Sequence, residues 1–380
     1  MLWRVNCITV GIMSAKTAYS REGNILPRLN AVRLFVVVMI AFGYASTMPV
    51  GPDKFETGKL FGYEPSWIGI QVLFFLSGVL AYRSITAGRI GFEYLKSRIL
   101  RTFPMLLALT LTTVFVIYPV LGKPLSTPQE YIALAKYFFL TVTCIDPGRV
   151  LPGLLDDSLY ACLIQGGIWT LRWGLIIHIG VAIASRFKVL MQPRLILAAA
   201  ITSMLIYAAY IYAAAKLEFG DPPAPIIGLH FGYMFLMGMA LWAYRDRLPR
   251  SSGARYAIGG ALFAVAAVNY LALPWTSFIE ISLTLSFGYT AWLLSTSTTR
   301  RLAILNNWPQ LALGLYLINW PTTQVLLHAF PELGSTTLPL VSLPISLALT
   351  VTSHVALSGR INQAIERKLL RKVTVQTTRL

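Results

Sequence analysis

The stretch SWIGIQVLFFLSGVLAY, residues 66–82, runs seventeen residues without a charge. A helix rises 1.5 Å per residue, so about 20 apolar residues cross the hydrocarbon core of a bilayer. Working outward, nine further stretches come within a few residues of that length. One, roughly 31–51, precedes it. The others lie at 102–122, 168–185, 195–215, 226–244, 256–273, 278–295, 309–328 and 337–358. An eleventh, 131–145, is shorter and interrupted by Lys136, so it is expected at the interface or re-entering rather than crossing. The expected fold class is all-α: a polytopic membrane protein with about ten transmembrane helices.

Composition agrees with lipid as the main solvent. Of 380 residues, 56% are apolar and 12% charged, against about 25% charged in a soluble domain. The formal net charge of +17 would suit a nucleic-acid partner only if the basic residues formed one patch. They fall instead in short clusters between apolar runs. With ten crossings and the N-terminus inside, 25 of the 32 Lys and Arg lie on the cytoplasmic side, six outside, and Arg172 within a span. That is the distribution the positive-inside rule requires, and it puts both termini in the cytoplasm. The bilayer is therefore the expected partner and nucleic acid is not. The chain divides into a cytoplasmic tail at 1–27, a transmembrane domain at 28–358 and a basic tail at 359–380. No internal repeat or pair of interrupted helices marks a transporter.

Cysteine is sparse. Cys7, Cys144 and Cys162 show no metal-ligand spacing, and His178, His230, His328 and His354 are scattered, so no metal is expected. Cys144 and Cys162 both fall in the long outer segment 123–167 and form a candidate disulfide. Among the histidines, His178 alone is expected well inside a span, as a hydrogen-bonded core residue. No P-loop, GxSxG or GxGxxG stands in a suitable strand-to-helix context.

Several polar groups stand near lipid. Arg172, in IWTLRWGLIIH, reads equally as a site residue or as an interfacial arginine reaching headgroups. Arg33 and Tyr44 are eleven residues apart on one helix, nearly on one face and about 16 Å apart along it. They read either as lining one cavity or as a positional anchor and a buried aromatic. Arg98 and Arg101, at i and i+3 before Pro104, present two guanidinium forks that suit phosphate groups, or anchor the span. Asn319 in GLYLINWP, and Gln165 with Trp169 ahead of Arg172, are the remaining polar candidates; the plainer reading is that each satisfies a backbone group.

The order of these pieces, from about residue 28 to 360, resembles the membrane-bound acyltransferase type 3 family, whose members O-acylate bacterial surface sugars. RLNAVRLFVVVMIAFGYAS is similar to the family's opening helix, with Arg33 at its arginine. WIGIQVLFFLSGVL resembles its helix with a glycine, two phenylalanines and Ser-Gly, the most specific of the matches. FEYLKSRILRTFP is similar to its arginine-x-x-arginine-x-x-proline segment, QGGIWTLRWGLII to its Trp-Ser/Thr-Leu segment, and GLYLINWP to its late Tyr-Leu-x-His-x-Pro segment. Three ionisable family positions are changed. Tyr44 stands at the presumed catalytic histidine, Gly174 at a glutamate and Asn319 at the late histidine. A phenol with pKa near 10 is a poor base at neutral pH, and Gly and Asn take no proton.

The resemblance implies an inner-membrane, multi-pass O-acyltransferase of a bacterium. Acyl-CoA would be the donor, held by Arg33, Arg98 and Arg101, and an acetyl or succinyl group would pass to a sugar of a surface polysaccharide or exopolysaccharide. Tyr44 would occupy the catalytic position, and Arg172, Trp169, Gln165 and Asn319 would face the glycan acceptor. Polysaccharide-synthesis proteins would be further partners. The alternative is a catalytically silent relative that binds glycan or acyl-CoA, or supports polysaccharide assembly.

Overall fold

The computed structural model describes residues 26–51, 59–217, 222–249, 251–272, 276–296, 305, 308 and 310–354. The tails expected at 1–27 and 359–380 fall outside the described residues, apart from Leu26 and Pro27, and so does Cys7. The described residues form eleven helices and no strand: α1 (Leu29–Thr47), α2 (Pro65–Thr86), α3 (Gly91–Thr112), α4 (Pro128–Val142), α5 (Thr170–Ala184), α6 (Pro193–Leu217), α7 (Ala224–Tyr244), α8 (Ser252–Ala272), α9 (Thr276–Thr296), α10 (Leu311–Ala329) and α11 (Thr337–Ser353). A π-helical turn, Thr113–Ile117, and a last turn, Tyr118–Leu121, continue α3.

Eight of these helices are long and apolar enough to cross a membrane: α1, α2, α3 with its continuation, α5 with the turn before it, and α6 through α9. The chain is an all-α polytopic membrane protein. The last two of the ten expected spans correspond to α10 and α11. α11 is apolar but has 17 residues, and α10 carries the polar run Asn319, Thr322, Thr323 and Gln324. α4 has 15 residues, about 22 Å of helix, which is short of the hydrocarbon core. Its first turn is fixed by Glu130, whose carboxylate accepts the amides of Ser126 and Thr127 at 2.6 and 3.0 Å. Those two amide bonds hold Glu130 below the usual carboxylate range.

Two expectations need correction. Arg98 and Arg101, expected just before the third span with Pro104 near its first turn, are already helical, because α3 begins at Gly91 and Pro104 is an interior residue. The turns GFEYLKSR carry the helix formers Glu93, Leu95, Lys96 and Arg98 and extend the helix beyond its apolar run. Cys144 and Cys162 form no disulfide; both are free thiols. The Cys162 thiol is directed to Asp156 Oδ1 at 3.0 Å instead.

The helices group into two units. The first holds α1 as far as Ile40, α2, the start of α3 to Arg98, and α5 from Trp173 through α9. Within it α2 packs along α7, and α9 lies against α2 and α8. The α2–α7 contact is backbone on backbone: a Cβ on Gly78 would collide with the Phe235 carbonyl, and one on Gly238 with the Phe75 carbonyl. Small residues are what permit so close an approach, since lipid supplies no hydrophobic drive between helices. α2, α7 and α9 are the buried centre, while α6 and α8 leave most of their surface to lipid.

The second unit holds the rest of α1, α3 from Ile99, α4, residues 143–172, α10 and α11. Here Val114, Tyr118, Tyr137, Leu151, Leu154, Leu155 and Ile164 form one apolar cluster, and Met48, Trp320 and Leu338 centre another.

Candidate functional site

The second unit holds six of the sequence-derived candidates: Tyr44, Arg101, Gln165, Trp169, Arg172 and Asn319. Tyr44, half-buried on α1, meets the Trp320 ring edge-on at 5.2 Å. A Cβ on Gly166 would collide with the Trp320 ring, so that glycine lets the 163–170 segment pass over the indole, while a Cβ on Gly167 would lie in contact distance of both the Trp320 and Tyr44 rings. Trp320 donates its indole N–H to the Leu163 carbonyl at 3.0 Å, and Tyr316 donates to the Gly167 carbonyl at 2.6 Å while sharing a 2.6 Å bond with Thr170. Asn319, almost fully buried, donates to the Ala41 carbonyl at 3.2 Å and accepts from Ser346 at 3.3 Å. Gln165 is buried and donates to Thr113 Oγ1 at 3.0 Å, where the π-helical turn of α3 begins. Trp169 is partly buried and packs against Gly148, whereas Arg172 is exposed. Every polar group at this hub is an amide, an indole or a hydroxyl.

The first unit holds Arg33, half-buried on α1, and Arg98. Arg98 donates to the Leu80 carbonyl at 2.9 Å, and its guanidinium lies 5.2 Å from the centre of the Tyr94 ring. Tyr94 in turn shares a 2.6 Å hydrogen bond with His178 Nδ1, so His178 is the hydrogen-bonded core residue expected. Arg101 belongs to the second unit and is exposed.

The first unit also contains a cluster that sequence reading did not single out. Glu280 on α9 is the one buried acidic side chain among the described residues. Its Oε1 accepts the indole N–H of Trp67 at 2.6 Å, and its Oε2 accepts the hydroxyl of Tyr207 at 2.8 Å. His230 Nε2 stands 3.3 Å from Oε1, and its Nδ1 is 3.5 Å from Gln71 Nε2. The imidazole is stacked on Tyr207 at 4.2 Å. The expectation that His178 alone lies well inside a span therefore fails: His230 is the seventh residue of α7 and 1% exposed.

A family model described as an acyltransferase domain matches residues 26–359. The chain belongs to the membrane-bound acyltransferase type 3 family. Neither curated proteins nor solved structures gave a match. Of the three positions that the resemblance marks as changed, Tyr44 meets the Trp320 indole and Asn319 bonds the Ala41 carbonyl and the Ser346 hydroxyl. Gly174, on α5, has no atom within 4 Å of where a Cβ would stand, so its side is open. These positions thus hold neutral contacts at two and space at the third. The signal for Glu280 and His230 was a charged and a titratable residue inside apolar runs, which marks a functional candidate in a membrane. It is weak in one dimension, because Trp67, Tyr207, His230 and Glu280 are brought together from across more than two hundred residues.

Proposed function

We propose that this protein is an integral membrane O-acyltransferase of a bacterial inner membrane. It takes an acetyl or succinyl group from acyl-CoA at the cytoplasmic face and places it on a sugar hydroxyl of a surface polysaccharide or exopolysaccharide. The observation that carries the reading is the family match over nearly all of the helical domain. The arginine-x-x-arginine pair supports it, since a scaffold has no need of guanidinium forks at the donor's entrance. Arg33, Arg98 and Arg101 would meet the phosphates of the donor, whose charge suits bidentate hydrogen bonds. Arg172, Trp169 and Gln165 would face the acceptor sugar. In the reaction the thioester C–S bond breaks and an ester C–O bond forms. The proton of the acceptor hydroxyl leaves its oxygen, and the departing thiolate takes up another.

A second reading, the catalytically silent relative, is favoured by Asn319, whose amide donates to the Ala41 carbonyl and accepts from Ser346 where the resemblance would have a histidine. Mass analysis of surface glycan from cells with and without the gene separates the two. An acyl ester that disappears with the gene supports the enzyme, and identical glycan in both cells supports the silent relative.

A further inference from the structure

Acyl transfer from a thioester to a hydroxyl releases a proton at the acceptor, and something must receive it. At the family positions this chain has a phenol, a glycine and an amide, none of which is a competent base near neutral pH. The first unit, by contrast, encloses a carboxyl group and an imidazole 3.3 Å apart. Resting on the acyltransferase reading above, we propose that Glu280 and His230 form one proton-holding site, which takes up the proton lost by the acceptor hydroxyl and passes it on between turnovers.

The geometry argues against a packing role alone. Enclosing a carboxylate is costly even when it is well paired, and apolar residues of similar volume serve packing as well or better. An intramembrane acid surrounded by donors points to use of its charge. The site is also incompletely satisfied. Gln71 Oε1 and His230 Nε2 are buried without a hydrogen-bond partner, although Nε2 stands 3.3 Å from the carboxylate. An imidazole next to a carboxyl group in this arrangement has two ways to place one proton, on nitrogen or on oxygen.

The groups facing the pair come from three helices. α2 supplies Trp67 and Gln71, α6 supplies Tyr207, and α7 supplies His230 and Tyr233, whose hydroxyl is 3.4 Å from Thr284. Tyr63, just ahead of α2, feels the Glu280 charge, and burial together with that charge raises its phenol. His178 contacts Phe235, five residues and about 7.5 Å along α7 from His230. Charge placement along the chain puts the starts of α2, α7 and α9 on the outer side, so the pair lies toward the face where the acceptor is proposed.

The test uses the full-length protein in nanodiscs, with Glu280→Gln, which keeps the shape, Glu280→Asp, which keeps the acid, and His230→Gln. Infrared difference spectra between wild type and Glu280→Gln are recorded from about pH 5 to 9, the range in which imidazole-linked protons move. A carboxyl band that titrates in that range and shifts in His230→Gln is the expected result. Acyl transfer to glycan is measured alongside. Glu280→Gln is expected to lower the rate at least tenfold and flatten its pH profile, with the KM for acyl-CoA unchanged and partial recovery in Glu280→Asp. If the wild type transfers acyl groups but the Glu280 band is fixed across the range, or Glu280→Gln keeps the wild-type pH profile, the proton site is overturned. If the band titrates while the wild type transfers nothing, the proton site stands and the acyltransferase reading falls with the role given to it here.

Discussion

The polar interior of the first unit is organised around a carboxyl group, and that of the second around neutral amides and hydroxyls. Both are buried and both tie together helices distant in sequence. They differ in what happens when one member is lost. At Glu280 an acidic group accepts from Trp67 and Tyr207 beside an imidazole. At Asn319 an amide serves one carbonyl and one hydroxyl. The first arrangement can carry a proton and depends on its charge balance; the second only fixes geometry. The resemblance would have placed two of its three ionisable positions, at Tyr44 and Asn319, in the second unit and one, at Gly174, in the first, whereas the buried acid and imidazole of this chain stand at Glu280 and His230.

The largest expected effect breaks the first cluster. Glu280→Ala removes the common acceptor of the Trp67 indole and the Tyr207 hydroxyl and leaves both buried donors without it. Each stranded donor costs about 1–3 kcal/mol, so thermal unfolding in detergent should move sharply downward. A midpoint within error of wild type would mean that the cluster contributes nothing to holding α2, α6, α7 and α9 together.

A second contrast concerns the arginines within α3, one in each unit. Arg98 rests on the Leu80 carbonyl and the Tyr94 ring, while Arg101 is exposed. If both meet donor phosphates, Arg101→Ala should weaken acyl-CoA binding by about tenfold, since a charge-assisted hydrogen bond contributes about 1.5–3 kcal/mol and exposure reduces it. Stability should be unchanged. Arg98→Ala should lower both binding and stability, and lysine should recover binding at either position only in part, for want of the fork. Equal acyl-CoA affinity in wild type and both alanine variants would return these arginines to the role of membrane anchors.

Asn319→Ala is the neutral counterpart of Glu280→Ala. It strands the Ser346 hydroxyl and removes one donor from the Ala41 carbonyl, a loss of about 1–2 kcal/mol. A loss as large as that at Glu280 would erase the distinction between the two clusters.

Much of this architecture is legible in the sequence, because bilayer thickness turns each long apolar run into a helix of known length. The runs at 66–82 and 226–244 became α2 and α7 within a few residues. The start of α3 was not legible, since the polar turns from Gly91 to Arg98 carry no apolar signal. At the site, motif order led to Tyr44, Asn319 and the 163–170 segment, which do meet around Trp320. The Glu280 cluster was hidden for a physical reason. A lone acid five residues into a helix reads as interfacial until the helices that enclose it are known, and none of its partners is close in sequence.

The smallest expected effect lies in the second unit's water-facing segment, where its charges do pair. Asp156 accepts the Cys162 thiol at 3.0 Å, the Gly153 amide at 3.1 Å and the Lys123 ammonium at 2.7 Å. The Cys162 hydrogen bond first, then Lys123, holds the carboxyl below its usual range, and Lys123 is raised in return. A depressed carboxyl stabilises the folded segment above its unfolded pKa of about 3.9, and that contribution is lost as pH falls through the lower folded value. The raised lysine acts oppositely: its contribution is full below about 10.4 and is lost as pH rises through its folded value. Asp156→Asn should therefore loosen the segment at neutral pH and make no difference in strong acid. Alkylation of Cys162, compared between variant and wild type at each pH, reads this directly. Cys144 serves as the reference thiol, since burial pushes it up to about 11 and it does not touch Asp156. The ratio should exceed one near pH 7 and approach one on acidification. Exposed pairs contribute little because water screens them, so global unfolding should barely change. A fall in global stability comparable to that of Glu280→Ala would show that the second unit, too, depends on charge, and that the contrast between the units lies elsewhere than in their electrostatics.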